Sequence, residues 1–103
     1  MNLEMIIFQI ITHSGDAKSS LFEAIAFAKK NDFKNAEIKI NEAESKIVLA
    51  HNEQTKLIQN EASGKTTEIS LLMVHAQDHL MNTLMFKDIA KEFIELYKKI
   101  EEK

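Results

Sequence analysis

LLMVHAQDHLMNTLM, residues 71–85, is the most apolar stretch of the chain, and neither glycine nor proline interrupts it. On a helix, His75, Asp78, His79 and Asn82 fall at i, i+3, i+4 and i+7, which is a single face. Leu71, Leu72, Met73, Val74, Leu80, Met81, Leu84 and Met85 flank it, so water is expected to be scarce around two imidazoles and a carboxylate. Burying such groups unpaired costs about 1 to 3 kcal/mol each, and more when they are charged, so something must pair them.

The rest of the chain has the same uninterrupted texture. Its 103 residues contain no proline and two glycines, which predicts long helices with little punctuation. The first helix spans residues 2–30, with Met5, Ile6, Phe8, Ile10, Leu21, Phe22, Ile25 and Phe27 in helical spacing around a polar patch at residues 12–16. Gly15 in that patch costs a helix about 1 kcal/mol relative to alanine, so it marks either a kink or the close approach of another group. Asn31 and Asp32 form a turn, with Asp32 capping a second helix over residues 33–61. Phe33, Ala36, Ile40, Ala43, Ile47, Ala50 and Leu57 are the buried stripe of that helix, and its charged face is solvated. Ser63, Gly64 and Lys65 make the second turn, and Thr66 or Thr67 caps a third helix over residues 67–100.

Three helices of roughly 30 residues, each about 45 Å long, joined by short turns, give one all-α domain over residues 1–103, an up-down-up antiparallel three-helix bundle. Folded this way, His13, Gly15, Asp16, His51, Gln54, His75, Asp78 and His79 form one belt at mid-height. Taken singly, His13 and His51 read as structural histidines, and Asp16 and Gln54 as exposed side chains. Three ionisable groups on one apolar helix face are harder to explain without function.

A hydrophobic fraction of 45% with 28% charged residues is that expected of a soluble protein, and a net charge of -3 gives no support to a nucleic-acid or anionic-membrane partner. The absence of cysteine excludes disulfides, thiolate nucleophiles and cysteine-ligated zinc. The apolar run at residues 5–11 lacks the frame of a signal peptide, and no run approaches the ~18 apolar residues of a membrane span, so a cytoplasmic location is expected.

Three chemistries remain open for the belt. His75, Asp78 and His79 chelate a transition metal within one chain; or His75, a neutral imidazole at pH 7, is a nucleophile able to accept a phosphoryl group; or the belt only sets the register of a helical oligomer. Residues 69–76 are apolar nearly all round, a pattern that calls for cover on every side and hence for self-association through the third helix.

VHAQDHLM, followed by MFKDIAKEFIELYKK, resembles the signature helix of the IIA component of the lactose/cellobiose (chitobiose) family of the bacterial sugar phosphotransferase system. HSGDAKS and AHNEQTKLI resemble their counterparts in the first and second helices, in the same order. The resemblance implies a homotrimer that relays phosphate from phospho-HPr to a cysteine of a IIB component, and thence to a β-linked disaccharide such as cellobiose, chitobiose or lactose. Contact with the membrane is then only indirect, through the IIC permease. The family's phosphoacceptor falls on His75, and the aspartate that holds one divalent cation shared by the trimer, Mg2+ by its chemistry, falls on Asp78. Gln77 or His79 is a candidate to orient His75. The competing reading from another class is a non-catalytic helical metal-binding or scaffold oligomer.

Overall fold

The computed structural model describes residues 2–103, and the described residues form three helices and no strand: α1 (Leu3–Lys29), α2 (Phe33–Ala62) and α3 (Leu71–Glu101). The molecule is a rod of 57 × 21 × 16 Å. α1 and α3 run parallel, with α2 antiparallel to both.

Local chemistry explains the ends. Asn2 caps α1 by accepting from the Met5 amide at 3.1 Å, and Asp32 caps α2 by accepting from the Asn35 amide at 3.2 Å. Asn31 adopts φ 63°, a left-handed turn that asparagine tolerates better than most residues, and Gly64 does the same at φ 91° after α2. α3 starts later than the sequence predicts. Ser70, not Thr66 or Thr67, is its cap, accepting from the Met73 amide at 3.1 Å. Thr67 is instead engaged by the side-chain amide of Asn60 at 3.2 Å, which ties the connector back onto α2 and holds it out of the helix.

α1 is continuous through Gly15, as a single long first helix requires, and a side-chain carbon at Gly15 would meet His79 only at an ordinary contact distance. The α2 stripe is buried as predicted from Ala36 to Leu57, with Phe33 partly covered at its start. The core falls into two apolar clusters. One joins Leu21, Ala24, Ile40, Ile47 and Ile94; the other joins Ile7, Ile10, Ala50, Ala76 and Leu80. Burying a side chain such as Ile10, Leu21 or Leu80, each with no exposed surface, contributes about 1.5–3 kcal/mol. Ser14 and Thr83, both wholly buried, lie along their helices between the two clusters.

The helices do not share contacts evenly. α1 packs closely on both partners, whereas α2 and α3 meet more sparingly. Between the C-terminal end of α2 and the N-terminal end of α3 an open groove of about 620 Å3 remains, lined by Leu57, Ile58, Met73, Val74 and Gln77 among others. Among the described residues, no helix is long and apolar enough to cross a membrane.

Candidate functional site

The predicted belt exists in height, but its members point into three different settings. In the α1/α3 seam, Gly15 stands beside His79. A side-chain carbon added at Gly15 would sit 3.6 Å from His79 Nε2, an ordinary contact distance, so glycine here leaves room beside that nitrogen. The same seam is fastened by Thr83, whose hydroxyl lies 2.9 Å from the carbonyl of His79 and 3.3 Å from that of Ser14. In the α2/α3 seam, Gln54 donates from Nε2 to Gln77 Oε1 at 2.7 Å. Gln77 is therefore engaged by α2 rather than by His75.

The third setting is the open side of α3. His75 and Asp78 are exposed in the single chain, contrary to the expectation of a dry surround, because α1 and α2 both pack against the opposite flank of α3. The rings of His75 and His79 lie 6.0 Å apart, centre to centre, and 15° from parallel. Asn82 donates from Nδ2 to Asp78 at 3.3 Å, one turn along. Hydrogen bonds at this level involve Gln54, Gln77, Asp78, Asn82 and Thr83, and none reaches the His75 ring among the described residues.

His79 is held below its ordinary pKa, first by burial, then by the charge of Lys18 and the neighbouring His75, with Asp78 pulling the other way. A neutral imidazole results, able to donate from one nitrogen and accept at the other. Among the described residues no group of three His, Cys, Asp or Glu side chains can hold a metal ion. The single-chain chelate of His75, Asp78 and His79 is thereby lost: His79 turns into the α1 seam while Asp78 faces outward.

His51 and Asp16 are exposed and stand apart from this cluster, and His13 is partly buried with its Nδ1 atom unpaired. Ser14, Thr83 and Lys18 belong to the site's surroundings and were not singled out from sequence. Thr83 was findable, since it sits four residues beyond His79 on an otherwise apolar helix.

Outward-facing α3 carries an apolar stripe on either side of Asp78. Leu71, Val74, Met81, Met85, Ile89, Phe93, Leu96 and Ile100 are all exposed, Leu71 to 85% and Met85 to 62%. With Asp78 included, every step is three or four residues, and their mean is close to the helix's own period of about 3.6. So large a contiguous apolar surface marks an association site.

Comparison with known proteins bears on what this arrangement does. Residues 5–98 match the model of the family described as PTS system, Lactose/Cellobiose specific IIA subunit. The lichenan-specific phosphotransferase enzyme IIA component of Bacillus subtilis is 57% identical over 100 residues, covering 97% of this chain and 91% of that protein. The lactose-specific EIIA component of Staphylococcus epidermidis is 45% identical over 97 residues, covering 94% and 93%. Among solved structures, the cellobiose-specific enzyme IIA from Bacillus anthracis superposes with a TM-score of 0.97 at 50% identity, covering 100% of this chain and 94% of the other. The IIA(Chitobiose) of an Escherichia coli IIA(Chitobiose)-HPr complex gives 0.85 at 35% identity, with 98% of each chain covered. With the helices, their order and nearly the whole length in agreement, the chain belongs to the lactose/cellobiose-specific IIA family of the phosphotransferase system.

Proposed function

We propose that this IIA protein accepts a phosphoryl group from phospho-HPr on His75 and passes it to the cysteine of a IIB component, during uptake of a β-linked disaccharide. The observation that carries this reading is the state of the His75 ring: exposed, free of hydrogen bonds among the described residues, and stacked beside a second imidazole. A phosphoryl group travelling between two proteins needs a nucleophile that an incoming partner can reach, and the exposure of His75 in the single chain supports that role. The HPr complex of the chitobiose relative supports the choice of donor. Such a relay works at the cytoplasmic face, where the soluble phosphocarrier and the IIB component are met, and it approaches the membrane only through the IIC permease.

The reaction asks little covalent chemistry of the protein. The lone pair of His75 forms the new N–P bond as the N–P bond of the donor imidazole breaks, and the electron pair returns to the donor ring. His79 is the residue best placed to steady His75, its ring lying nearly parallel to that of His75 at 6.0 Å. Gln77, tied to Gln54, steadies the α2/α3 seam below the groove.

The apolar stripe of α3 supports assembly about a three-fold axis. Because its step matches the helix period, three parallel copies of α3 would meet along nearly straight lines with little supercoil. Asp78 would then face its two copies, and carboxylates 4 Å apart repel by about 4 kcal/mol per pair at an effective dielectric of 20. One Asp78 per chain makes no site alone, but three supply an all-oxygen set that fits Mg2+. Bound there, the ion would neutralise the axial charge; the transfer step itself needs only His75 and its neighbours.

A pulse-chase experiment tests the relay. Phosphate loaded on the protein by phospho-HPr should discharge onto IIB and remain in place when the IIB cysteine is replaced by serine. Retention of the label in the presence of intact IIB would contradict the second half of the relay.

A further inference from the structure

The HSGDAKS segment of α1 carries a lysine that the bundle core does not use. Ser14 and Ala17 are buried in the bundle and Gly15 makes room for His79, but Lys18 is a partly buried cation without a partner. Lys39 and Lys87, the other partly buried lysines with a carboxylate near them, have one at 2.9 and 3.9 Å. Lys18 and Lys46 have none within ion-pair distance among the described residues, and of these two only the charge of Lys18 is felt at His79.

Its position follows from the helix. Lys18 is one turn beyond Gly15 and Ser14, on the side of α1 that carries their contacts to His79 and Thr83. Side chains on a helix lean toward its N-terminus, so a lysine here reaches back along α1 to the level of Gly15 and hence of His79. Its stem can lie on the apolar seam while its ammonium stays at the edge. The charge is felt at His79, where it disfavours a second cation. An unpaired lysine whose charge reaches the His79 imidazole, itself 6.0 Å from the ring of His75, is unfavourable in the resting protein. It becomes favourable once one ring carries a phosphoryl group of about two negative charges.

We propose that Lys18 is the built-in counter-charge of the phosphorylated protein, the cation that stabilises the phosphoryl group on His75 from the neighbouring helix. This rests on the assignment of His75 as acceptor. The step needs no co-reactant: the N–P bond to the donor imidazole breaks as the N–P bond to His75 forms, and the lysine keeps its proton throughout. Lys18 thereby sets how far the exchange with HPr runs toward this protein, and how long the phosphate survives.

The test is the equilibrium of phosphoryl exchange with HPr, and the hydrolysis rate of the phosphorylated protein, for wild type, Lys18→Met and Lys18→Arg. Methionine keeps the apolar stem and removes the charge. It should shift the equilibrium toward phospho-HPr by roughly tenfold to a hundredfold, the worth of a hydrogen bond to a charged group, and speed hydrolysis. Arginine should restore both, with helicity and assembly state unchanged in either variant. Lys18→Gln carries the same test should the methionine variant fail to fold. A Lys18→Met equilibrium matching wild type, an arginine variant as impaired as the methionine one, or a loss that follows dissociation of the assembly would each overturn the proposal. Wild-type protein that takes no phosphate on His75 would overturn the relay reading itself, a failure visible before any Lys18 variant is compared.

Discussion

His79 Nε2 stands 3.6 Å from the place a side chain on Gly15 would occupy, while the His75 ring, stacked 6.0 Å away on the same helix, stands in the open. The two imidazoles share a face and differ in environment. Burial above all, then the charge of Lys18 and the neighbouring His75, lowers the proton affinity of His79 against the pull of Asp78. The unfolded chain, with His79 at its ordinary affinity, binds more protons than the folded one in the window just below the usual histidine value. Stability therefore rises with pH across that window and falls on acidification. Denaturation measured between about pH 7 and pH 5 should show a shallower acid-side loss in His79→Gln than in wild type. Equal slopes would contradict the assignment.

Ser14 gives a prediction of opposite sign to most core substitutions. Its hydroxyl is wholly buried and has no hydrogen-bond partner, whereas its carbonyl receives Thr83. Ser14→Ala removes the unpaired group, leaves the Thr83 contact and improves helix propensity, so it should stabilise the protein by about 1 kcal/mol. Chemical denaturation measures this. A loss of stability would mean that the hydroxyl is satisfied by an internal water.

Leu80, by contrast, has no exposed surface and packs with Ile10, Ala50 and Ala76. Leu80→Ala should cost about 2–5 kcal/mol, the transfer term plus that of an unfilled cavity. A cost under about 1 kcal/mol would show that the seam collapses around the smaller residue.

Much of this architecture was legible in the residues themselves. The α2 stripe and the Asp32 cap follow from spacing and side-chain chemistry, and the level of His79 against Gly15 follows from counting along antiparallel helices. The start of α3 did not, because Thr66, Thr67 and Ser70 are all competent caps by type. The choice was made by a tertiary contact, Asn60 to Thr67, which no local pattern contains. The exposure of His75 and Asp78 was misread for a related reason. An apolar surround says that a face is to be covered, not that its own chain covers it. HSGDAKS and VHAQDHLM carried the family, which spacing alone left as one of three chemistries.

The exposed stripe of α3 predicts concentration-dependent assembly. Met85→Lys, near the middle of the stripe and 62% exposed, should leave each chain folded while dissociating the assembly, as read by sedimentation equilibrium. A wild-type protein that sediments as a monomer would remove the basis of the three-fold account.

Asp78→Leu separates metal from assembly. In the proposed trimer an apolar side chain of similar volume can fill an axis that carboxylates would otherwise strain, so the variant should bind no divalent ion there and still assemble as three chains. Metal content and sedimentation together decide it. Dissociation to monomers would contradict the proposed axis.

The most direct test of the whole account is phosphorylation by phospho-HPr with the site of the label mapped. His75 should carry an acid-labile, base-stable phosphate, absent from His75→Ala and still formed in His79→Gln. No label on wild type, or a label undiminished in His75→Ala, would contradict the account.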